Sequence, residues 1–213
     1  LFDVHALHPR YGIGGADFSS TTDLTAAVVL FMLPNDPHIY VMSMFWLPEE
    51  LLERRVREDR IPYDLWKDQG YLRTCEGNKV RQKDVTDWFL EVQNDLDCYI
   101  YRGGYDAWSA SYWVDEMQET FGKGVFTPVQ QTMKVLSLPM KQLGADFDSK
   151  LIVYNNNPVL KWCLANTGIV EDKNGNIKPN KTSKARKRID GLAALLDAFV
   201  VFQDCQDDYK SML

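Results

Sequence analysis

The amino-acid sequence predicts an α/β domain whose central sheet is mixed and flanked by helices. Two observations carry this prediction: three strand-like runs joined by short turns open the chain, and helical and strand-like segments then alternate up to a closing helix. The opening runs are YGIGGADFS (11–19), LTAAVVLFML (24–33) and HIYVMSMFW (38–46). Strands joined by short turns form an antiparallel meander, whereas strands separated by helices run parallel. The sheet should therefore contain three antiparallel strands followed by parallel ones.

The later elements follow from periodicity and from residues that begin or end helices. Pro48 opens a helix through PEELLERRVRED, with acids in its first turn as the helix dipole favours. Asn157 and Pro158 form an N-cap and first-turn pair, and Asn174-Gly175 marks a hairpin within residues 167–180. The remaining predicted elements are helices at 82–95, 109–121, 130–148 (with a break at Pro139) and 188–204, and strands at YLRT, CYIYRGGYD (98–106), VFTPV and LIVYN.

Length and composition fit one globular domain that spans residues 1–213. The chain does not begin with Met, which suggests a piece excised from a longer protein. No run reaches the roughly 18 to 20 apolar residues of a membrane span, so no membrane association is expected. The four cysteines are scattered, without the spacing of a disulfide framework or a zinc site, so buried free thiols are expected.

Three aspartates fall at the ends of predicted elements. Asp17 lies near the end of the first strand, Asp106 ends the strand CYIYRGGYD, and Asp190 begins the last helix. Consecutive members of the trio are 89 and 84 residues apart in the sequence, so only the fold can bring them together. If the two strands are neighbours, both carboxylates project at the same edge of the sheet, and the closing helix carries Asp190 over them.

A buried group of carboxylates repels itself and requires a cation between its members. Carboxylate oxygens suit Mg²⁺ or Mn²⁺, and two such ions about 3.5 to 4 Å apart can clamp a phosphodiester. Each aspartate alone also has an ordinary structural role, because Asp17 and Asp106 could cap turns or helices and Asp190 complements a helix N-terminus. Their joint placement favours a site for two divalent ions.

Two further acids are candidates for the same site. Asp197 lies seven residues beyond Asp190 on the same helix face, about 10.5 Å along the axis, so one ion is not easily held by both. We interpret Asp197 as a polar neighbour of the site or as a helix-face residue with its own partner. Asp23 precedes a strand in the pattern of an ordinary hairpin. The sequence does not rank these two acids.

A run of cations directly precedes Asp190, although the chain has a net charge of −6. The members of this basic run are Lys178, Lys181, Lys184, Arg186, Lys187 and Arg188. Contacts to phosphates position a nucleic-acid strand without reading its sequence. We therefore expect the basic run to line the approach of DNA to the carboxylates, the alternative being a solvated loop.

Several motifs, in order, resemble the C-terminal nuclease domain of the large terminase subunit of tailed bacteriophages. These motifs are GADFSSTTDLTA, FWLPEE, YDAWSA, NNNPVLKWCLAN and KARKRIDGLAALLDAF, and they cover nearly the whole chain. The resemblance implies an RNase H-like fold with strand order 3-2-1-4-5, in which the first strand lies beside the strand that ends at Asp106. It also implies that the hairpin at 167–180 lies near the active site.

The resemblance implies that Asp17, Asp106 and Asp190 are catalytic metal ligands, that the cofactors are two Mg²⁺ or Mn²⁺ ions, and that Asp197 or Asp23 is a fourth acid. The implied activity is endonucleolytic cleavage of concatemeric viral double-stranded DNA in the host cell cytoplasm. The implied partners are DNA, an ATPase domain of the same protein, the portal and the small terminase subunit. No GxxxxGK[ST] phosphate loop occurs, so the chain itself is not expected to hydrolyse ATP.

Three other interpretations remain open at this stage. Another RNase H-like nuclease, such as a resolvase or integrase core, would prefer branched DNA. A DNA-docking module of the packaging motor would retain the basic run and need no metal. A structural protein whose aspartates are all caps would bind neither DNA nor metal.

Overall fold

The computed structural model describes residues 1–18, 24–108, 113–181 and 187–213. Its strands are β1 (Tyr11–Asp17), β2 (Thr25–Phe31), β3 (Ile39–Pro48), β4 (Leu72–Cys75), β5 (Tyr99–Asp106), β6 (Phe126–Val129), β7 (Ile152–Val153), β8 (Thr167–Glu171) and β9 (Ile177–Lys181). Its α-helices are α1 (Val4–Leu7), α2 (Leu52–Arg55), α3 (Tyr63–Asp68), α4 (Gln82–Leu96), α5 (Trp113–Phe121), α6 (Met133–Asp148), α7 (Pro158–Ala165), α8 (Asp190–Asp204) and α9 (Gln206–Ser211).

The main sheet is mixed, as predicted. Its strands follow the order β4-β3-β2-β1-β5-β6, and β7 pairs with β3. β1, β2 and β3 form the predicted antiparallel meander, while β5 and β6 continue from β1 in parallel. The order implied by an RNase H-like fold is confirmed, because β3, β2, β1, β5 and β6 occupy its five positions. β4 extends the sheet beyond β3.

The sheet separates two hydrophobic cores. On one face, α8 packs across the central strands and buries Leu195 and Phe199 in the same core as Ile13 of β1. On the other face, α4 and α5 contribute Phe89 and Trp113 to a second core. Successive strand residues point to opposite faces, so β1 serves both cores.

Two glycines allow α8 to lie directly on the strands. Gly15 of β1 is in register with Gly104 of β5, and both face α8. A Cβ atom at Gly15 would lie 2.1 Å from the carbonyl oxygen of Ala194, and one at Gly104 would lie 2.6 Å from that of Asp197. A side chain at either position would push the helix away from the sheet.

Local signals in the sequence predicted several helix and turn boundaries correctly. The Oδ1 atom of Asn157 accepts hydrogen bonds from the backbone N–H groups of Val159 and Leu160 at 3.0 and 3.1 Å, which is the predicted N-cap of α7. β8 and β9 form the predicted hairpin, and Gly175 at its turn has the left-handed φ of +77° that glycine tolerates. α4 also matches the predicted helix within one residue.

Two predicted helices differ from the structure. The predicted break at Pro139 is wrong, because α6 runs continuously through this buried proline. Proline removes one helical hydrogen bond, and here tertiary packing maintains the helix. The helix predicted from Pro48 starts one residue later and is uneven: a 3₁₀ turn (Glu49–Leu51) precedes α2 and a π-type turn (Val56–Arg60) follows it.

The four cysteines are free thiols, and three of them are buried as the composition led us to expect. Cys75, Cys98 and Cys163 are buried free thiols, whereas Cys205 is partly exposed. Within the described ranges, no helix is both long enough and apolar enough to cross a membrane.

We predict that Gly15→Ala destabilises the fold by about 3 kcal/mol, the upper end of what overpacking costs, because the new methyl group meets the backbone of α8. The matched control is Gly144→Ala in the exposed face of α6, where an added Cβ meets nothing within 4 Å. That variant should gain about 0.5–1 kcal/mol from helix propensity. Urea denaturation of both variants measures the difference, and equal stabilities would contradict the close packing of α8.

Candidate active site

Asp17 and Asp106 end two neighbouring parallel strands. Ala16 pairs with Tyr105 in the β1–β5 register, so the residues that follow leave the sheet at the same edge. In open α/β sheets, ligands bind outside the carboxyl ends of the strands. The structure therefore brings together the first two of the predicted acids at a position where a site is expected.

Asp190 reaches these strand ends because the start of α8 is held from several sides. The aspartate is the first residue of α8 and is 3% exposed. Asn166 donates a hydrogen bond from Nδ2 to the carbonyl oxygen of Arg188 at 3.0 Å. A Cβ atom at Gly191 would lie 2.9 Å from the ring of Phe45, so the first turn of α8 sits closely on β3.

The charges of these acids act on one another. Burial, followed by the negative charges of Asp190, Asp197 and Asp106, raises the pKa of Asp17 well above its ordinary value. A hydrogen bond between the side chains of Asp17 and Asp190 acts in the same direction. Carboxylates that share a site cannot all ionise unless a positive charge compensates them. The group therefore holds either a proton or a cation.

Asp197 joins the group from the second turn of α8 beyond Asp190. Its side chain is 1% exposed, and its Oδ1 accepts a hydrogen bond from Nε2 of Gln131 at 3.0 Å. Burial raises the pKa of Asp197, the hydrogen bond from Gln131 lowers it, and the charge of Asp106 raises it. Both sequence interpretations therefore apply, since Asp197 neighbours the site and has its own partner. Asp23 lies outside the described residues.

Gln131 was missed in the sequence, which contains no signal for it. It follows the short strand β6, and the same amide nitrogen also donates to the carbonyl oxygen of Val129 at 3.0 Å. Only the pairing of β6 with β5 brings this amide to the strand ends. A glutamine two residues past a strand is unremarkable until the sheet order is known.

Asp106 is tied to the turn that follows it. Its Oδ1 accepts a hydrogen bond from the backbone N–H of Trp108 at 2.8 Å, the local bond that aspartate forms in turns. The backbone N–H of Ala107 donates to the carbonyl oxygen of Val129 at 3.3 Å. The turn bond uses one carboxylate oxygen, so a turn role and a ligand role are compatible.

The basic run is only partly described. Lys178 and Lys187 are partly exposed, whereas Lys184, Arg186 and the side chain of Lys181 lie outside the described residues. The prediction for Arg188 is wrong, because its side chain is 8% exposed and its guanidinium lies 3.9 Å from the carboxylate of Asp59, which is itself 2% exposed. A buried pair of this kind anchors the chain before α8.

The hairpin formed by β8 and β9 adjoins the site at its base. β8 begins directly after Asn166, the residue that holds the chain ahead of α8. The turn of the hairpin lies instead on α6, where Nζ of Lys141 donates to the carbonyl oxygen of Gly175 at 2.7 Å. The hairpin base, and not its tip, is therefore the part nearest the carboxylates.

The donor set fits a hard divalent cation. Asp17, Asp106, Asp190 and Asp197 offer carboxylate oxygens, the ligands that Mg²⁺ and Mn²⁺ prefer. Among the described residues, the buried Oδ2 atom of Asp197 has no hydrogen-bond partner. Within the described residues, no group of three or more His, Cys, Asp or Glu side chains has the geometry of a metal site. A cation bound here would compensate the charges that raise the pKa of Asp17.

Comparison with known proteins assigns the family. A family model for the terminase large subunit, endonuclease domain, matches residues 1–205. The chain belongs to this terminase nuclease family. The large terminase subunit of Enterobacteria phage HK97 is 32% identical over 191 residues, which cover 88% of this chain and 36% of that protein. The match favours a terminase nuclease domain over a resolvase or integrase core.

Solved terminase structures share the fold. The crystal structure of the HK97 bacteriophage large terminase has a TM-score of 0.80 and 30% identity, covering 91% of this chain and 40% of that one. The large terminase nuclease of thermophilic phage G20c, solved with bound magnesium, has a TM-score of 0.54 and 14% identity over 89% of this chain and 80% of that one. The nuclease domain of bacteriophage SPP1, solved with bound Mn, has a TM-score of 0.50 and 16% identity over 91% and 86%.

The terminase nuclease chain spans only part of its larger relatives. It covers 36% of the HK97 subunit by sequence and 40% of the HK97 chain by structure. By contrast, it covers 80% or more of the nuclease domains from G20c and SPP1. The likeness is therefore to one part of a longer large terminase subunit.

We predict that Asp17→Asn stabilises this terminase nuclease domain in EDTA at neutral pH, by about 0.5–2 kcal/mol. The folded-state pKa of Asp17 is raised, so the folded protein binds its proton more tightly than the unfolded chain does. Stability is then lost as the pH rises above the unfolded pKa of about 4. The advantage of the asparagine variant should vanish at or below pH 4.

Thermal or urea unfolding across pH 3 to 8 measures this effect. Asp148→Asn, at the exposed end of α6, is the control and should show no such pH-dependent gain. Mn²⁺ should stabilise the parent protein more than the Asp17→Asn variant. A variant that is less stable than its parent at pH 7 without metal would contradict the mutual repulsion of the carboxylates.

We also predict that Arg188→Ala costs about 3 kcal/mol of stability, because it leaves the buried carboxylate of Asp59 without its cation. Lys187→Ala, one residue earlier and partly exposed, should change stability by less than about 0.5 kcal/mol. Urea denaturation compares the two variants. Unchanged stability for Arg188→Ala, together with weaker DNA binding, would instead indicate that Arg188 contacts DNA.

Proposed function

We propose that this domain is a divalent-metal-dependent endonuclease that cuts concatemeric double-stranded viral DNA during genome packaging. The observation that carries the proposal is the meeting of Asp17, Asp106 and Asp190 at one edge of the sheet, with Asp197 beside them. Membership of the terminase nuclease family supports it, as do the relatives solved with magnesium and manganese.

The four carboxylates would have different roles as metal ligands, according to their positions. Asp17 interacts electrostatically with each of the other three, so it would be the ligand that both ions share. Asp106 and Asp190 would complete the ligand set from the two sides of Asp17. Asp197 is the better candidate for the fourth acid, because its buried carboxylate faces the same group.

Two divalent ions bound there would activate the attacking water and stabilise the leaving oxygen of the phosphodiester. The chain's own residues hold the carboxylates in place for this chemistry. Gln131 orients Asp197, the turn at Trp108 orients Asp106, and Asn166 fixes the chain that leads into Asp190. Such partners of metal ligands typically contribute 10- to 100-fold in affinity or activity.

DNA would reach the carboxylates along the remaining cations of the basic run. Lys178 and Lys187 are partly exposed. They lie before and after residues 182–186, which are outside the described part of the chain. Phosphate contacts carry no sequence information, so cleavage by this domain should tolerate many sequences. Its activity alone should be weak, because such contacts position a strand only loosely.

In the whole protein, we expect the nuclease domain to work with an ATPase domain, the portal and the small terminase subunit in the host cell cytoplasm. More than half of the HK97 relative lies outside its match to this chain. That extra length provides room for a motor, which would supply the coupling between packaging and cutting that a single nuclease site lacks.

Incubation of supercoiled plasmid with the domain in Mg²⁺, Mn²⁺ or EDTA tests the proposal. We predict nicking and linearisation that require metal and fall more than about 100-fold in Asp17→Asn, since even a partner of a metal ligand contributes 10- to 100-fold. The exposed control Asp148→Asn should cut like its parent.

Three other results would each change the assignment. Cutting that survives in Asp17→Asn would remove Asp17 from the site. DNA binding without cutting in any metal would favour a docking module of the packaging motor. A branched substrate cut in preference to linear DNA would point to resolvase-like activity.

A further inference from the structure

Trp108 leaves a large aromatic side chain in water beside the candidate active site. Its exposed fraction is 81%. The other five tryptophans of the chain are buried or partly buried in the two cores: Trp46, Trp66, Trp88, Trp113 and Trp162. Tryptophan has a large apolar surface and is enriched at interfaces, so one held in solvent next to a site indicates a ligand surface.

The backbone at Trp108 is anchored to the strand end. Its N–H donates to Oδ1 of Asp106 at 2.8 Å, and the preceding N–H, of Ala107, donates to the carbonyl oxygen of Val129 at 3.3 Å. The indole ring makes no ring contact with the part of the chain that the structure describes. A fixed backbone with an uncovered ring is an arrangement suited to contact with a bound molecule.

The indole lies within reach of the bases beside a phosphate held at Asp106. Two residues of chain span at most about 7 Å, and duplex DNA rises about 3.4 Å per base pair. A phosphodiester held at Asp106 would therefore have its nearest bases within about two steps of the indole. Among the chemical groups of DNA, the flat faces of the bases are the ones that an indole matches. In a duplex, such a face is reached where one base step is partly unstacked, at a cost of a few kcal/mol.

We propose that Trp108 stacks on a nucleobase that is partly unstacked beside the phosphodiester that is cut, and so positions the strand over the carboxylates; this rests on the proposed nuclease function. The cations of the basic run hold phosphates at a variable register along the strand. Stacking on one base restricts that register. Because every base has a π-face, the contact positions DNA without selecting a sequence.

A protein partner could also cover an exposed indole. DNA is favoured because Trp108 is bonded to Asp106, one of the acids expected at the reacting phosphate. Whatever occupies the carboxylates comes within reach of this ring. A protein surface would have to share that space with the substrate.

The test uses acrylamide quenching of tryptophan fluorescence in the Asp17→Asn chain, which we expect to bind DNA without cutting it. A duplex oligonucleotide should protect the fluorescence, and the protection should disappear in Asp17→Asn/Trp108→Phe. In fluorescence anisotropy with a single-stranded oligonucleotide, Trp108→Ala should weaken binding five- to 150-fold, the range for the loss of one stacked base. With the duplex the loss should be smaller, because unstacking a base step offsets part of the stacking energy. Trp108→Phe, which keeps a flat ring, should stay within about fivefold of the parent.

Two controls make the result specific. Trp108→Leu is apolar without a flat face and should bind like Trp108→Ala; full rescue by leucine would overturn stacking. Leu65→Ala removes another exposed apolar side chain, 50% exposed on α3, and should leave binding unchanged. Because Trp108 is exposed, its variants should melt at the temperature of the parent, which circular dichroism checks.

The outcomes separate this proposal from the nuclease assignment. If the parent cuts plasmid with metal while Trp108→Ala binds and cuts equally well, the stacking proposal is overturned and the nuclease stands. If the parent cuts in no metal, the nuclease assignment fails, and the quenching experiment still decides whether DNA covers Trp108. No protection of Trp108 by DNA overturns the stacking proposal in either case.

Discussion

The close contact between α8 and the two central parallel strands is the constraint on which the site depends. Gly15 and Gly104 present backbone, not side chains, to the carbonyl oxygens of Ala194 and Asp197. The helix that carries Asp190 and Asp197 therefore lies against strands that end in Asp17 and Asp106. Any larger residue at the glycine positions would separate two of the carboxylates from the other two.

The same contact forces like charges together, so other interactions must hold them. Gln131 donates to Asp197, Asn166 holds the carbonyl oxygen of Arg188, and Arg188 is buried against Asp59. These contacts come from β6, α7 and the segment after α2, which surround the start of α8. The repulsion within the group is thus resisted by neutral hydrogen bonds and a buried ion pair outside it, and the carboxylates keep their capacity for a cation.

Much of the fold was predictable because local chemistry and tertiary structure agree. The strand-like runs of β1 to β3, the apolar face of α4 and the cap at Asn157 each indicate the element that forms. Pro139 was misjudged because local propensity opposes a helix there while the packing of α6 requires one. The uneven helix after β3 has no signal in its regular pattern of charges and leucines.

The site was predictable in part, for a related reason. Aspartates at the ends of elements identify candidates, and parallel pairing brings Asp17 and Asp106 to one edge. Which basic residues face solvent depends on packing, and Arg188 is buried by a partner 129 residues earlier in the chain. Gln131 contacts Asp197 only because β6 adds beside β5. Contacts of this kind are set by the sheet order, which the sequence of any single segment does not contain.

Binding of a cation and stability of the fold should be linked in this molecule. The carboxylates are brought together by packing that exists without a metal, so their repulsion is present whenever the domain is folded and the pH ionises them. A ligand that binds the folded state and not the unfolded state stabilises it by mass action, and a divalent ion here would also relieve that repulsion. The interactions that complete the active site would then also stabilise the start of α8, where the charge of Asp190 acts on Asp17.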